Sequence, residues 1–281
     1  MRVLLAAAAL LLPHESDVAT FGDLTVVNVK EEGRYRLARV AGDRLEVLAV
    51  PPQRHAFDFD VGPDTGGRPV VVYSRDRRLL LHRPWAGGEL ELRRRARGSE
   101  PSIWGDRIAY VRRGGIVTGS RFGGPLRRVP GIPRGAYELD VEVRGTLIAT
   151  LDRHGPVLGF APNQYLRLYD AATGRSRRVW VNGTGLGGQR LVGLSFAGPW
   201  LGFYVSWFGD PSAVNAPRRY RVTDGRYEWA SGSRLLRGFA LLSGGETLQL
   251  EADAYQEEGE PNRLERRRLR WRRIPRRAIR D

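Results

Sequence analysis

The sequence predicts an all-β fold: a single-domain β-propeller of about six four-stranded blades. Three observations lead there. Helical periodicity is nearly absent after the first residues. Short β-rich runs recur, separated by Gly, Pro, Asp and Asn. The runs also group in fours over about 40 residues, the length of one propeller blade.

The chain opens with Met1-Arg2-Val3-Leu4-Leu5, four alanines and Leu10-Leu11-Leu12-Pro13. One basic residue ahead of an apolar run of about ten matches a secretory leader and is too short to span a bilayer. The expected division is a signal peptide over 1–19 and a propeller over 20–281, in a secreted or envelope-attached protein. Cleavage after Ala19 would set Asp17 at the −3 position, where a small residue is preferred.

LTVVNV (24–29), YRLARV (35–40) and RLEVLAV (44–50) supply about three strands of a first unit. The next unit is clearer. Phe57-Asp58-Phe59-Asp60-Val61 alternates, Gly62 to Gly67 turns, PVVVYS (69–74) and RRLLLH (77–82) follow, and ELELR (89–93) alternates again. A third has Pro101-Ser102-Ile103-Trp104, RIAYVR (107–112), IVTGSR (116–121) and PLRRV (125–129). LDVEV (139–143), TLIATLD (146–152), YLRLYD (165–170) and SRRVWV (176–181) make a fourth. A fifth has LVGLSF (191–196), LGFYVSW (201–207), RRYRVTDG (218–225) and RYEWA (226–230). RGFALL (237–242), TLQLEADA (247–254) and RLERRRLRW (263–271) form the last. The second strand of each unit is the most apolar, as a strand covered on both faces must be. The outer strands are polar, as edges are. The first and last units look short of a full set and are expected to share a blade that closes the ring.

PSIWGDRIAYVRRGGIVTGSRFGGPLRRV resembles the WD40-like repeat of TolB-type β-propellers, with an "RIAY" strand and a Gly pair before the last strand. DVGPDTGGRPVVVYSR and YLRLYDAATGRSRRV are similar. This resemblance covers about two thirds of the chain. It implies the propeller fold and, as a first expectation, a protein partner, while fold alone does not transfer activity.

There are no cysteines, so disulfides, thiolate metal sites and cysteine nucleophiles are excluded. The four histidines, His14, His55, His82 and His154, stand singly, without a metal-ligand spacing. No G-x-S-x-G occurs, and Gly183 to Gly188 lacks the helix and Lys-Ser/Thr of a phosphate loop. No catalytic residue, metal site or cofactor is assigned. Asp64, Asp106, Asp170 and Asp224 sit beside Gly or at strand ends, where Asp caps turns. Asp58, Asp60, Asp140 and Glu142 would suit a glycan hydrolase or lyase only if they converged on one cleft, about 5–10 Å apart.

The net charge is +15, and Lys30 is the only lysine. Spread arginine serves solubility. The dense C-terminal tail also suits an anionic partner. Two binding candidates follow. One is the aromatic run ending in Trp207 and Phe208 with the loop that carries Asp210 and Asn215. The other is the tail, with Arg267, Arg268, Arg270, Trp271 and Arg273. The preferred reading is a monomeric, non-catalytic binding or scaffold module for a protein partner. The alternatives are a binder of anionic envelope polymer or lipid through the tail, and a glycan-active enzyme. Nucleic acid is not expected of an exported chain without a nucleic-acid-reading motif.

Overall fold

The structure is a computed structural model, described here over residues 18–42, 44–94, 96–154, 163–182, 188–208, 215–233, 236–251 and 263–274. Its regular structure among these residues is entirely β, arranged as a six-bladed propeller.

Blade one is β1 (Val18–Phe21), β2 (Leu24–Glu31), β3 (Arg34–Ala41) and β4 (Arg44–Val47). Blade two is β5 (Phe59–Pro63), β6 (Pro69–Arg75), β7 (Arg78–His82) and β8 (Glu89–Glu91). Blade three is β9 (Ser99–Trp104), β10 (Arg107–Val111), β11 (Ile116–Ser120) and β12 (Gly123–Arg128). Blade four is β13 (Tyr137–Arg144), β14 (Leu147–His154), β15 (Asn163–Asp170) and β16 (Arg175–Asn182). Blade five is β17 (Gly188–Ala197), β18 (Trp200–Phe208), β19 (Ala216–Arg221) and β20 (Tyr227–Trp229). Blade six has β21 (Leu236–Leu241), β22 (Thr247–Glu251) and β23 (Arg263–Arg267). A last strand, β24 (Arg272–Arg273), crosses back to pair with β20 at the edge of blade five. Each blade is an antiparallel meander in chain order, as about 40-residue repeats require.

The first and last units do not share a blade, contrary to the sequence expectation. Each forms its own sheet, because β1 to β4 already make a full set within residues 18–47. The ring closes by packing instead. Val18, Val27, Val29 and Ala38 of blade one bury against Ala240, Leu248, Leu250 and Leu264 of blade six.

The core is six apolar clusters, one at each blade-to-blade interface. Strand alternation explains the continuous apolar second strands. Along β6, Val71 and Tyr73 pack towards blade one, and Val70 and Val72 towards blade three. Along β14, Ile148 packs towards blade three and Ala149 and Leu151 towards blade five. Inner strands approach closely. A Cβ on Gly62 would lie 2.0 Å from the Ile103 carbonyl oxygen, so only glycine fits between blades two and three.

Candidate functional site: the acidic channel

The inner strands β5, β9, β13 and β17, with β1 and β21, surround a cavity of about 490 Å³ on the propeller axis. Side chains two apart on a strand share a face. Asp60, Ser102, Glu142 and Ser195 thereby form one tier, and two residues earlier in the chain Asp58, just before β5, Glu100, at a bulge of β9, and Asp140 also line the cavity. In a chain of charge +15, the mouth of this cavity is acidic. Arg237 is the one basic residue among the described residues that line it.

The deeper tier is a relay of clamps between blades. Asp60 Oδ2 accepts the Ile103 N–H of blade three at 3.2 Å. Ser102 Oγ accepts the Val143 N–H of blade four at 2.9 Å. Glu142 accepts the Phe196 N–H of blade five. Ser195 Oγ accepts the Leu241 N–H of blade six at 3.0 Å. Each acceptor thus holds the amide that follows its own counterpart in the next blade. The counterpart in blade six is Ala240, which cannot accept, and the apolar packing around Val18 takes over there.

Three of these groups also bond one another. Ser102 Oγ donates to Asp60 Oδ2 at 2.7 Å, and Glu142 hydrogen-bonds Asp60. Asp60 Oδ1 accepts the Val61 N–H at 2.6 Å. Burial raises the Glu142 pKa well above the ordinary carboxyl range, and the charges of Asp60 and Asp140 add to this. Burial also raises Asp60, against the hydrogen bonds it accepts. Both shifts favour a proton on the pair, and Glu142 is the more strongly raised of the two. Among the mouth residues, Asp58 Oδ2 accepts the Ser74 hydroxyl at 2.9 Å.

Further clamps tie neighbouring blades. Asn28 donates to the Phe57 carbonyl (3.1 Å) and accepts its N–H (2.9 Å). Gln164 grips Leu191 in the same two-way fashion, with Nε2 2.8 Å from its carbonyl. Asn215 belongs to this set. It is buried, and its Nδ2 donates to the Leu236 carbonyl at 2.7 Å.

The other sequence candidates are dispersed. Trp207 and Phe208 pair in β18 with Gln189 and Gly188, and Asp210 lies outside the described residues. Earlier on β18, Phe203 and Val205 face blade four and Tyr204 faces blade six, as alternation predicts. In the tail, Arg267 is held by Glu251 (2.6 Å) and Glu265 (2.7 Å), and Arg268 by Glu246 (3.1 Å). Arg270 and Arg273 are exposed. Trp271 packs against blades five and six, and the Arg219 guanidinium lies over its ring at 4.3 Å and over that of Trp200 at 4.1 Å. The tail is thus a strap from blade six to blade five.

The described residues include no group of three or more His, Asp or Glu placed to hold a metal ion. His82 is buried, its pKa lowered by desolvation, with Nδ1 3.1 Å from the Gly88 carbonyl. Asp64, Asp170 and Asp224 cap their turns, accepting the N–H groups of Gly66, Ala172 and Arg226.

No family model and no curated protein matches the chain. Solved structures do. TolB from Acinetobacter baumannii aligns with a TM-score of 0.56 at 12% identity, over 85% of this chain and 62% of that one. An oligogalacturonate lyase from Vibrio parahaemolyticus gives 0.57 at 9% identity, over 97% and 80%. The extracellular domain of a hybrid two-component system from B. thetaiotaomicron gives 0.54 at 11% identity, over 94% and 34%. The fold is that of TolB and similar propellers. At these identities the likeness is one of fold, and the chain spans less than two thirds of TolB's length.

Proposed function

We propose that the chain is an exported, non-catalytic binding propeller whose channel mouth receives a cationic segment of a protein partner. The observation that carries this reading is the segregation of charge. Asp58, Glu100 and Asp140 gather at one cavity in a strongly basic molecule, and low-dielectric walls focus such a field on an incoming cation. The deeper carboxylates are spent on structure: Asp60 and Glu142 bond to each other and to backbone amides of neighbouring blades. The leader-like N-terminus and the likeness to an extracellular domain support a location outside the cytoplasm.

The test uses residues 18–281 as bait on envelope extract at low and high salt, beside a D58N/E100Q/D140N variant. A discrete protein captured by the wild type and lost by the variant supports the proposal. Equal capture by both, or capture of anionic polymer or lipid alone, overturns it.

A glycan-active enzyme is the second reading. Convergence of Asp58, Asp60, Asp140 and Glu142 on one cavity and the likeness to a lyase favour it. Against it, Asp60 and Glu142 are in hydrogen-bond contact, closer than the about 5–10 Å that separates hydrolase carboxylates. Cleavage of an acidic or neutral oligosaccharide that disappears in D140N would establish this reading.

A further inference from the structure

The propeller face opposite the acidic mouth carries a basic and aromatic patch on blades two and three. Four turns meet there: Asp64–Arg68 and Arg83–Gly88 of blade two, and Gly105–Asp106 and Arg121–Phe122 of blade three. Backbone and side-chain bonds tie together the elements that carry three of them. The Gly105 N–H donates to the Pro63 carbonyl at 2.9 Å, and the Arg121 N–H to the Asp106 carbonyl at 2.8 Å. Arg93 of blade two donates to the Ser120 carbonyl (2.6 Å) and the Gly123 carbonyl (3.2 Å) of blade three.

Two features of this patch call for a ligand. The first is clustered positive charge without a direct ion pair: Asp64 and Asp106 act on Arg121 only from a distance. Arg83 and Arg121 lie near enough to repel, and the Nε of each is buried without a hydrogen-bond partner. No ion pair joins either guanidinium to a carboxylate among the described residues. The nearby Asp64 spends Oδ1 on the N–H groups of Gly66 (2.8 Å) and Arg68 (3.0 Å), and Oδ2 stands 3.8 Å from Arg68. The second is exposed aromatic surface. Trp85 is 41% and Phe122 70% exposed. Each ring is braced by an arginine, Trp85 by Arg68 at 4.8 Å and Phe122 by Arg121 at 4.4 Å.

We infer that this face binds an acidic saccharide, with Arg83 and Arg121 on its carboxylate or sulfate groups and Trp85 and Phe122 under its sugar rings. Guanidinium groups pair with the two oxygens of a carboxylate or other oxyanion in a two-pronged fashion, and aromatic rings offer flat area at low entropy cost. A small inorganic anion would leave both rings unused. The leader-like N-terminus puts acidic saccharides, rather than nucleic acid, within reach. The inference rests on the export part of the proposed function but not on the channel, because the two surfaces lie on opposite faces.

The experiment is calorimetric titration of the full chain with polygalacturonate fragments, beside dextran, polyphosphate and an oligo-dT. Polygalacturonate is expected to bind and dextran not to. R83Q/R121Q should weaken binding roughly tenfold to a hundredfold, the scale of hydrogen bonds to charged groups. W85A/F122A should weaken it severalfold, and since both rings are exposed, this variant carries the test if R83Q/R121Q fails to fold. Absence of polygalacturonate binding overturns the inference. So does tighter binding of polyphosphate or oligo-dT, or unchanged affinity in a variant that melts like the wild type.

Discussion

Glu142 of blade four hydrogen-bonds Asp60 of blade two across the intervening Ser102 of blade three. Three consecutive blades are therefore joined through a single buried carboxyl–carboxylate pair. The pair works only if one proton is shared, because two buried like charges in contact repel. The proton is the structural element, and it makes the ring sensitive to pH.

The sign follows from linkage. A raised folded-state pKa at Glu142 means that its stabilising contribution is complete below the ordinary carboxyl value near 4.5 and is lost as pH rises through the folded value. Glu142→Gln keeps a donor for Asp60 and an acceptor for the Phe196 N–H without a titrating proton. The variant should match the wild type near pH 4. At pH 8 it should exceed it by about 1 kcal/mol or more, read as about 2–4 °C in Tm per kcal/mol. Thermal melts from pH 4 to 8 check this, and parallel profiles for the two proteins would refute a protonated Glu142.

The tail prediction follows from Arg219. Its guanidinium lies over both the Trp200 and the Trp271 ring, and its Nε donates to Glu228 at 2.7 Å. Trp271 also closes the apolar cluster of Tyr204, Leu236, Phe239 and Leu241. Trp271→Ala should cost about 2–3 kcal/mol, less than a fully buried Trp, and should free β24 from the edge of blade five. Trp271→Phe should recover part of this. Chemical denaturation gives the cost and limited proteolysis the release of the tail. Unchanged cleavage in the alanine variant would mean that the strap is held by the β20–β24 pairing alone.

Much of the fold was legible because blade strands carry local signals. RIAYV became β10 and the flanking Gly-rich pieces its turns, and the all-apolar second strands reported burial on both faces. The carboxylates Asp58, Asp60, Asp140 and Glu142 could be picked out by alternation. Their division of labour could not, because it depends on the register between blades about 40 residues apart. Ser102 and Ser195 gave no signal for the same reason. Asn215 read as a loop residue available to a ligand, yet its position beside Leu236 buries it as a clamp. Arg83 and Arg121 were diluted in an arginine-rich sequence, and only the meeting of four turns brings them together.

The N-terminal boundary gives the last prediction. β1 begins at Val18, which is 6% exposed and sits among Val27, Val29, Ala240 and Leu248 where blade six meets blade one. Ala19 packs on the other side, against the cluster between blades one and two. This is the interface at which Ala240 breaks the polar relay, so closure there depends on apolar area. A leader removed after Ala19 would delete the Val18↔Val27 and Ala19↔Val26 pairs of the inner strand. Burial of the Val18 side chain alone is worth about 1.5–3 kcal/mol. A chain starting at Thr20 should therefore unfold at lower denaturant than one starting at Val18, by at least this amount, and if a leader is removed, N-terminal sequencing should find a start at or before Val18. Equal stability of the two chains would show that β2, rather than β1, seals the ring.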